Sequence, residues 1–262
     1  MDLDINLDKK IEFYKDYVDF EESTPIESIV TKIEILFLNK ADNSKLSNML
    51  EKLIKTRNFF DELDRIVHLS RYINPSLIES MESILKAKFS DIRPKYYYNF
   101  LTIVYSAKSK FKDAIESFEQ QYEYQPINGT YFSRKSYLLL KNKSYEDVIN
   151  LKEEYISNNF DFEEDFEVLK INAMYANKML NDAAYDESLL RTLSSSENKL
   201  IKIASRLLVD NTRSQAIQNI ISMIKADPRN YFMFDDWEIL TSDELTNIKS
   251  KIEVNNKINT FL

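Results

Sequence analysis

The segment 95–128 carries its apolar residues in a pattern that fits two consecutive helices. It reads KYYYNFLTIVYSAKSKFKDAIESFEQQYEYQPIN. The positions that define the pattern are Tyr98, Leu101, Tyr105, Phe111, Ala114, Phe118 and Pro126, at successive spacings of 3, 4, 6, 3, 4 and 8 residues. Spacings of three and four place side chains on one stripe of a helix, so one helix is predicted on each side of the six-residue gap. Ala114 is small enough to let the two helices approach closely, and Pro126 ends the second helix.

The same pattern recurs when the chain is read in steps of 34 residues, from residue 27 to residue 230. Forward steps reach Phe132, Leu139, Tyr145 and Val148, then Phe166, Leu169, Ala173 and Met179, then Leu200, Ile203, Ala204, Leu207, Ala216, Ile220 and Pro228. Backward steps reach Val67, Ser80, Ile84 and Ala87, then Val30, Ile33, Phe37, Leu46, Leu50 and Leu53. A fixed period of this length is typical of repeat proteins, in which each unit buries its apolar face against the next.

Capping and proline signals predict where the helices begin. Thr24 to Glu27 form a capping box with Pro25 at the first helical position, and Pro75 and Pro94 mark two further helix starts. The predicted repeat helices are 25–40, 44–57, 58–73, 75–89, 94–108, 111–124, 130–141, 144–157, 163–178, 182–193, 197–209 and 213–226, with an additional helix at 6–20 and another from Ser242 onward.

The repeat at 95–128 resembles the tetratricopeptide repeat, and the resemblance extends in weaker form over roughly 200 of the 262 residues. It implies an all-α fold, a right-handed α-solenoid of six 34-residue helix-turn-helix repeats with capping helices at both ends. The implied divisions are an N-terminal cap at 1–26, repeats at 27–60, 61–94, 95–128, 129–162, 163–196 and 197–230, and a C-terminal cap at 231–262.

The composition agrees with a helical chain and excludes or disfavours several classes of function. One glycine and five prolines in 262 residues leave few of the positive-φ positions that hairpins and tight turns need. A net charge of −8 disfavours nucleic-acid binding, because phosphate contacts require a basic face. The absence of cysteine excludes disulfides, cysteine zinc ligands and a cysteine nucleophile.

The chain also lacks the sequence signals of export and membrane insertion. Its start, from Met1 to Asp4, is acidic and is not followed by the apolar core of a signal peptide. No run of 18 apolar residues is present. We therefore expect a cytoplasmic protein without membrane insertion.

Candidate catalytic and metal-binding residues are few, and each has a simpler interpretation. His68, the only histidine, falls in the middle of a predicted helix without a nucleophile motif near it. The acidic run 161–167 begins a predicted helix, where the helix dipole favours carboxylates. One glycine cannot supply a phosphate-binding loop. We therefore predict no catalytic residue, no metal, no cofactor and no enzyme activity.

The resemblance implies that the first helix of each repeat lines a concave groove through positions 2, 5, 9 and 12. The residues predicted to bind a partner there are Arg65, Leu69, Tyr72, Tyr96, Asn99, Ile103, Ser133, Tyr137, Glu167, Ile171 and Met174. Apolar and aromatic groups mixed with amides and hydroxyls suit an extended peptide or a helix. An alternative for any of them is packing against neighbouring repeats or the terminal helices.

The leading hypothesis is a protein–protein interaction scaffold or adaptor that binds a peptide or helix of a partner protein in this groove. The alternative is a ligand- or peptide-sensing regulatory domain of a bacterial signalling system or a larger protein. The carboxylate clamp of chaperone-binding repeat proteins is not expected, because its basic third-helix positions fall on Glu167 and Ile171. A second dense aromatic patch lies at Tyr231, Phe232, Phe234 and Trp237.

Overall fold

The computed structural model describes residues 24–38, 41–128, 130–160, 163–181, 186–227 and 230–255, and over these ranges the chain is helical without a β-strand. The chain divides into two compact units, with the boundary between Tyr124 and Gln125. That boundary falls four residues before the predicted end of the third repeat. Within the described residues no helix is long and apolar enough to cross a membrane.

The described part of the first unit contains six α-helices. They are α1 (Ile26–Leu38), α2 (Asn43–Thr56), α3 (Leu63–Ile73), α4 (Ser76–Ala87), α5 (Pro94–Ala107) and α6 (Phe111–Tyr122), with short 3-10 turns at Phe60–Glu62 and Phe89–Asp91. Local chemistry sets several helix ends. The Asp42 carboxylate accepts a hydrogen bond from the Ser44 backbone N–H at 2.8 Å and caps α2.

The second unit, as far as it is described, contains eight helices. They are α7 (Tyr131–Lys141), α8 (Tyr145–Ser157), α9 (Glu163–Asn181), α10 (Glu187–Ser194), α11 (Lys199–Leu207), α12 (Asp210–Ala226), the short α13 (Tyr231–Phe234) and α14 (Ser242–Asn255). The side chains of Asp186 and Asn198 cap α10 and α11. Thr241 and Glu244 form a reciprocal capping box at the start of α14, with hydrogen bonds of 2.9 and 3.2 Å.

Within the described residues the predicted order of helices is confirmed, with adjustments at several helix ends. The helix predicted at 58–73 begins at Leu63, because Phe60–Glu62 forms a tighter 3-10 turn and the buried Phe59 lies before it. Helix α9 continues to Asn181 rather than 178. Part of the helix predicted at 182–193 and all of the helix predicted at 6–20 lie outside the described residues.

Each unit contains helical hairpins. The first helix of one hairpin packs against the first helix of the next hairpin. In the first unit α3 packs on both α1 and α5, while α2 packs on α4. In the second unit α9 packs on both α7 and α11, and α12 packs on α11 and α14. Helix α10 packs mainly against α11 of the following hairpin. We call the layer of first helices in each unit its helix-A face: α1, α3 and α5 in the first unit, and α7, α9 and α11 in the second.

The turn between paired helices has the same geometry in the segments predicted as the third and fourth repeats. Ser109 and Lys143, which are 34 residues apart, both have a left-handed backbone, with φ of 56° and 60°. Three backbone hydrogen bonds close the first turn, from the N–H groups of residues 108, 109 and 110 to the carbonyls of 104, 106 and 105, and the same three recur 34 residues later. The left-handed residue satisfies the last carbonyls of the first helix and reverses the chain. The 34-residue period is therefore visible in backbone geometry as well as in sequence.

The segment predicted as the second repeat departs from this register. Its equivalent turn position is Pro75, which has a φ of −58° and cannot adopt the left-handed conformation. Helix α4 consequently presents a different face: Met81 is buried, while Ser80 and Ala87 are exposed. The assignment of Ser80 and Ala87 to the repeat pattern is therefore wrong. Met179, also assigned to the pattern, is exposed as well.

In four of the other predicted repeats the residue equivalent to Ser80 is buried: Leu46, Ala114, Val148 and Ala216. Ala114 lies on α6, which packs closely against α5. Replacing Ala114 with phenylalanine is expected to lower the free energy of unfolding by about 1–3 kcal/mol, because the added ring overpacks this contact. Urea denaturation followed by circular dichroism measures the change. An Ala114→Phe variant that unfolds at the parent's urea concentration would contradict the assigned contact.

Candidate functional site

Arg65, a predicted binding residue of the first unit, is held in an ion-pair network across α1 and α3. Its guanidinium donates to both carboxylate oxygens of Glu34 at 2.9 and 2.6 Å, to Glu62 at 2.8 Å and to the Thr31 hydroxyl at 2.8 Å. The hydrogen bond to Glu34 is the main reason why the pKa of Arg65 lies above its usual value. Arg65 therefore links α3 to α1. Most of its N–H donors already form hydrogen bonds within the unit.

Two predicted aromatic residues lie at the surface of the first helix-A face. Tyr72 is 37% exposed and Tyr96 is 47% exposed. The Tyr72 ring lies 5.7 Å from Phe37 and 5.4 Å edge-on from His68, measured between ring centroids. The Lys95 ammonium lies 4.7 Å from the centre of the Tyr96 ring, within the range of a cation–π contact.

Asn99 and Ile103 follow Tyr96 on α5, and both are half-buried. Together with Tyr72 and Tyr96 they give the first helix-A face two exposed aromatic rings, an amide and a branched aliphatic group. This combination keeps the mixed chemistry that the sequence pattern predicted for a peptide-binding surface.

The second helix-A face is covered in part by residues 235–240 of the chain itself. The Tyr137 hydroxyl donates a hydrogen bond to a carboxylate oxygen of Asp236. The Lys141 ammonium, one helical turn further along α7, lies 2.9 Å from the other Asp236 oxygen and 3.0 Å from Glu238. The Lys141 side chain is almost buried, whereas the side chains of Asp236 and Glu238 are about one-third exposed, so water reaches the carboxylate side of these ion pairs.

Trp237 lies between these two acidic residues, over a cavity of about 200 Å³. The cavity is lined mainly by apolar side chains of α7, α9 and α11, including Leu140, Ile171 and Ile201, and by Trp237 and Ile239. Its polar edge is formed by Tyr137, Glu238 and Asn172. The Asn172 amide donates to the buried Ser136 hydroxyl at 2.8 Å, which holds α9 against α7. The segment therefore rests on the second helix-A face through two carboxylates and two apolar side chains.

Three of the residues predicted to bind a partner are buried in the core. Leu69 is 1% exposed, Ile171 is 2% exposed and Met174 is also buried. Apolar residues on a helix-A stripe satisfy the same spacing whether they face a groove or a neighbouring helix. Ile171 lines the cavity that Trp237 and Ile239 also line. These side chains have almost no surface to offer a partner.

Glu167 and Ser133, the remaining predicted residues of the second unit, are half-buried and hydrogen-bonded within it. Glu167 accepts a hydrogen bond from the Ser196 hydroxyl at 3.0 Å. The Ser133 hydroxyl donates to the Thr130 carbonyl at 3.3 Å. Tyr137 lies on the second helix-A face, and its hydroxyl is bonded to Asp236.

Lys141 and its two acidic partners were not among the residues singled out from the sequence. A signal was present, since Lys141 follows Tyr137 by one helical turn and the sequence DDWE places acidic residues on both sides of the only tryptophan. The aromatic patch considered as a second site is partly core, because Phe234 is fully buried and packs 5.0 Å from Trp237. The side chain of Phe232 lies outside the described residues.

The acidic run 161–167 lies mostly outside the side chains that the structure describes. Across the described side chains, no cluster of three histidine, aspartate or glutamate residues is arranged to hold a metal ion.

A comparison with known sequence families, with curated proteins and with solved structures finds no match to this chain. The function is therefore inferred from the residues and their geometry.

Proposed function

We propose that the chain is a protein-interaction scaffold of tetratricopeptide-like helical hairpins, whose helix-A faces bind extended segments of a protein or peptide. The observation that carries the proposal is the seating of residues 235–240 on the second helix-A face. Tyr137 and Lys141 bind the carboxylates of that segment, and Trp237 and Ile239 cover an apolar cavity. A face that binds an acidic, aromatic segment within the chain has the groups needed to bind such a segment from a partner.

The repeat geometry supports the same proposal. The turn at residues 108–110 recurs at 142–144 with the same hydrogen bonds and the same left-handed residue. In each unit the first helices of successive hairpins pack side by side, which is how repeat proteins build a continuous binding surface.

The first helix-A face is the surface proposed for a partner. Tyr72 and Tyr96 are exposed there, and exposed aromatic side chains supply much of the binding energy in protein interfaces. Asn99 adds an amide that can pair with the backbone of an extended peptide, and Ile103 adds apolar area. The second helix-A face is by contrast already occupied by the chain's own segment.

Peptides selected from a random displayed library against the whole protein are expected to depend on Tyr72 and Tyr96. Each substitution to alanine is expected to weaken the selected peptides by about 2 kcal/mol, because an aromatic anchor is lost from the contact. Isothermal titration calorimetry measures the affinity, and circular dichroism confirms that each variant is folded.

Ile156→Ala is the matched control, since Ile156 is a comparably exposed apolar residue on α8, a second helix of the other unit. It should leave the affinity unchanged. Peptides that bind the Tyr72→Ala and Tyr96→Ala variants as tightly as the parent, yet lose affinity for Ile156→Ala, would place the binding surface elsewhere.

A further inference from the structure

The cavity beneath Trp237 has the size and the lining of a site for a small aromatic molecule. Its volume is about 200 Å³. An apolar cavity of about 150 Å³ is large enough to bind benzene, so this cavity suits a molecule of one ring or of two fused rings. Most of its described lining is apolar, and it includes Val168 and Ile171 of α9, Leu200 and Ala204 of α11, and Trp237 itself.

The lining of this cavity extends from the core of the second unit to its surface. Ile171 and Ala204 are buried, whereas Val168, Leu200 and Trp237 are half-buried. A ligand can therefore enter on the half-buried side, next to Trp237, and place its ring against the core, where apolar surface is removed from water. Ala204 has the smallest side chain of the described lining, so a larger residue at this position would fill the cavity.

One polar side chain of the lining keeps an unused hydrogen-bond acceptor. Asn172 is only 9% exposed, and its amide nitrogen donates to the Ser136 hydroxyl at 2.8 Å. The Ser136 hydroxyl donates its single proton to the Ser133 carbonyl at 2.9 Å, so towards Asn172 it can only accept. This requirement directs the amide nitrogen to Ser136 and the carbonyl oxygen away from it. Within the described part of the chain that oxygen accepts no hydrogen bond, so an N–H or O–H group in the cavity can donate to it.

The charged groups at the edge of the cavity already pair with one another. Glu238 is the charged residue of the described lining, and the Lys141 ammonium lies 3.0 Å from it and 2.9 Å from Asp236. The Tyr137 hydroxyl also donates to Asp236. An ionised ligand would lose its hydration in the apolar part of the cavity, which costs more free energy than the transfer of a neutral group. The cavity therefore favours a neutral ligand.

We propose that the cavity beneath Trp237 binds a small neutral aromatic molecule with one hydrogen-bond donor, of the size of phenol or indole. The ring of the ligand packs against Trp237 and the apolar side chains of α9 and α11, since aromatic rings pair favourably in offset or edge-to-face geometry. The donor group of the ligand binds the Asn172 carbonyl oxygen. The proposal goes beyond the scaffold function, because it needs no partner protein, and its test does not involve the first helix-A face.

Calorimetric titration of the whole protein with indole, benzofuran and benzoate tests the proposal. Benzofuran has the ring system of indole, but an oxygen atom replaces the N–H group. We expect indole to bind saturably at one site and roughly three- to tenfold more tightly than benzofuran, which is the difference that one hydrogen bond makes. Benzoate should not bind, because its charge would be buried without compensation.

Three variants assign the binding to this cavity and to Asn172. Asn172→Leu removes the acceptor and should bind indole and benzofuran equally. Ser136→Ala removes the same hydrogen bond between α7 and α9 but keeps the acceptor, so it is the matched control and should keep the preference for indole. Ala204→Leu fills the cavity and should abolish the binding of both compounds. Circular dichroism shows whether each variant is folded, and Val168→Phe, which narrows the cavity from its half-buried side, replaces Ala204→Leu if that variant does not fold.

Four results would overturn the proposal. The first is the absence of saturable indole binding by the parent. The second is an indole affinity that the folded cavity-filling variant leaves unchanged. The third is a preference for indole over benzofuran that persists in Asn172→Leu. The fourth is a tryptophan-containing peptide that binds the parent but not the cavity-filling variant, while indole fails to bind, which would assign the cavity to a side chain of a partner protein.

Discussion

Replacing Phe234 with alanine is expected to lower the free energy of unfolding of the second unit by about 3–5 kcal/mol, because a fully buried ring is exchanged for a cavity. Phe234 ends α13 and packs against Trp237, so its removal also loosens the segment that covers the second helix-A face. Urea denaturation followed by circular dichroism measures the loss. The native-state emission of Trp237, the only tryptophan, reports the loosening as a shift to longer wavelength.

Met233→Ala is the matched control for this variant. Met233 is the adjacent residue on the same short helix, but it is 42% exposed. Its replacement should cost much less stability than that of Phe234, because a large part of its surface is already in water. Equal stability losses in the Phe234→Ala and Met233→Ala variants would contradict the packing of α13 against the core.

Replacing Arg213 with alanine is expected to lower the free energy of unfolding by about 2–3 kcal/mol at pH 7, since breaking a largely buried ion pair leaves its partner uncompensated. The Arg213 guanidinium donates to both carboxylate oxygens of Glu244 at 2.6 Å, to the carbonyl of Ile239 at 2.8 Å and to that of Leu207. Arg213 thereby links α12 to the start of α14. It also links α12 to the end of residues 235–240, the segment that covers part of the second helix-A face.

This contribution depends on pH in a defined direction. Burial raises the pKa of Glu244, but hydrogen bonds from Arg213 and Thr241 outweigh burial and hold that pKa below its usual value. A carboxyl group with a lowered pKa in the folded protein stabilises it fully above the pKa of the unfolded chain, about 4.3 for glutamate, and this stabilisation is lost as the pH falls through the lowered value. The stability difference between the parent and Arg213→Ala should therefore be larger at pH 7 than at pH 3.

Urea titrations of the parent, Arg213→Ala and Glu244→Gln at the two pH values measure this difference. Arg93→Ala removes an exposed arginine and serves as the control. A difference between the parent and Arg213→Ala that is independent of pH would show that Glu244 is not the group that Arg213 stabilises.

The helices of this protein could be predicted from sequence because their signals are local. Pro94 begins α5 as predicted, and Ala114 is buried between α5 and α6 as its small size indicated. The 34-residue register does not hold in the segment predicted as the second repeat. There Pro75, whose φ is fixed, stands where the other turns have a left-handed residue. That failure also has a local cause, because the proline stands in the sequence at the turn position itself.

The candidate site could be predicted only in part, because it depends on contacts between distant residues. Periodicity assigns Leu69 and Ile171 to a helix-A stripe, but it does not say whether another element covers them. Tyr137 and Asp236 are 99 residues apart, so no spacing rule connects them. The role of Lys141 likewise depends on the carboxylates of Asp236 and Glu238, which are distant in sequence and contact it only in the folded protein.

The claim that a helix-A face binds an extended acidic and aromatic segment is tested most directly by the exposure of Trp237 in a Lys141→Glu variant. The substitution places a third carboxylate beside Asp236 and Glu238, so the segment should be repelled from α7. Lys143→Glu makes the same change of charge at an exposed position two residues away and is the control. We expect Lys141→Glu alone to raise acrylamide quenching of Trp237 and to shift its emission to longer wavelength. Quenching and emission that stay equal in the parent, Lys141→Glu and Lys143→Glu would contradict the account.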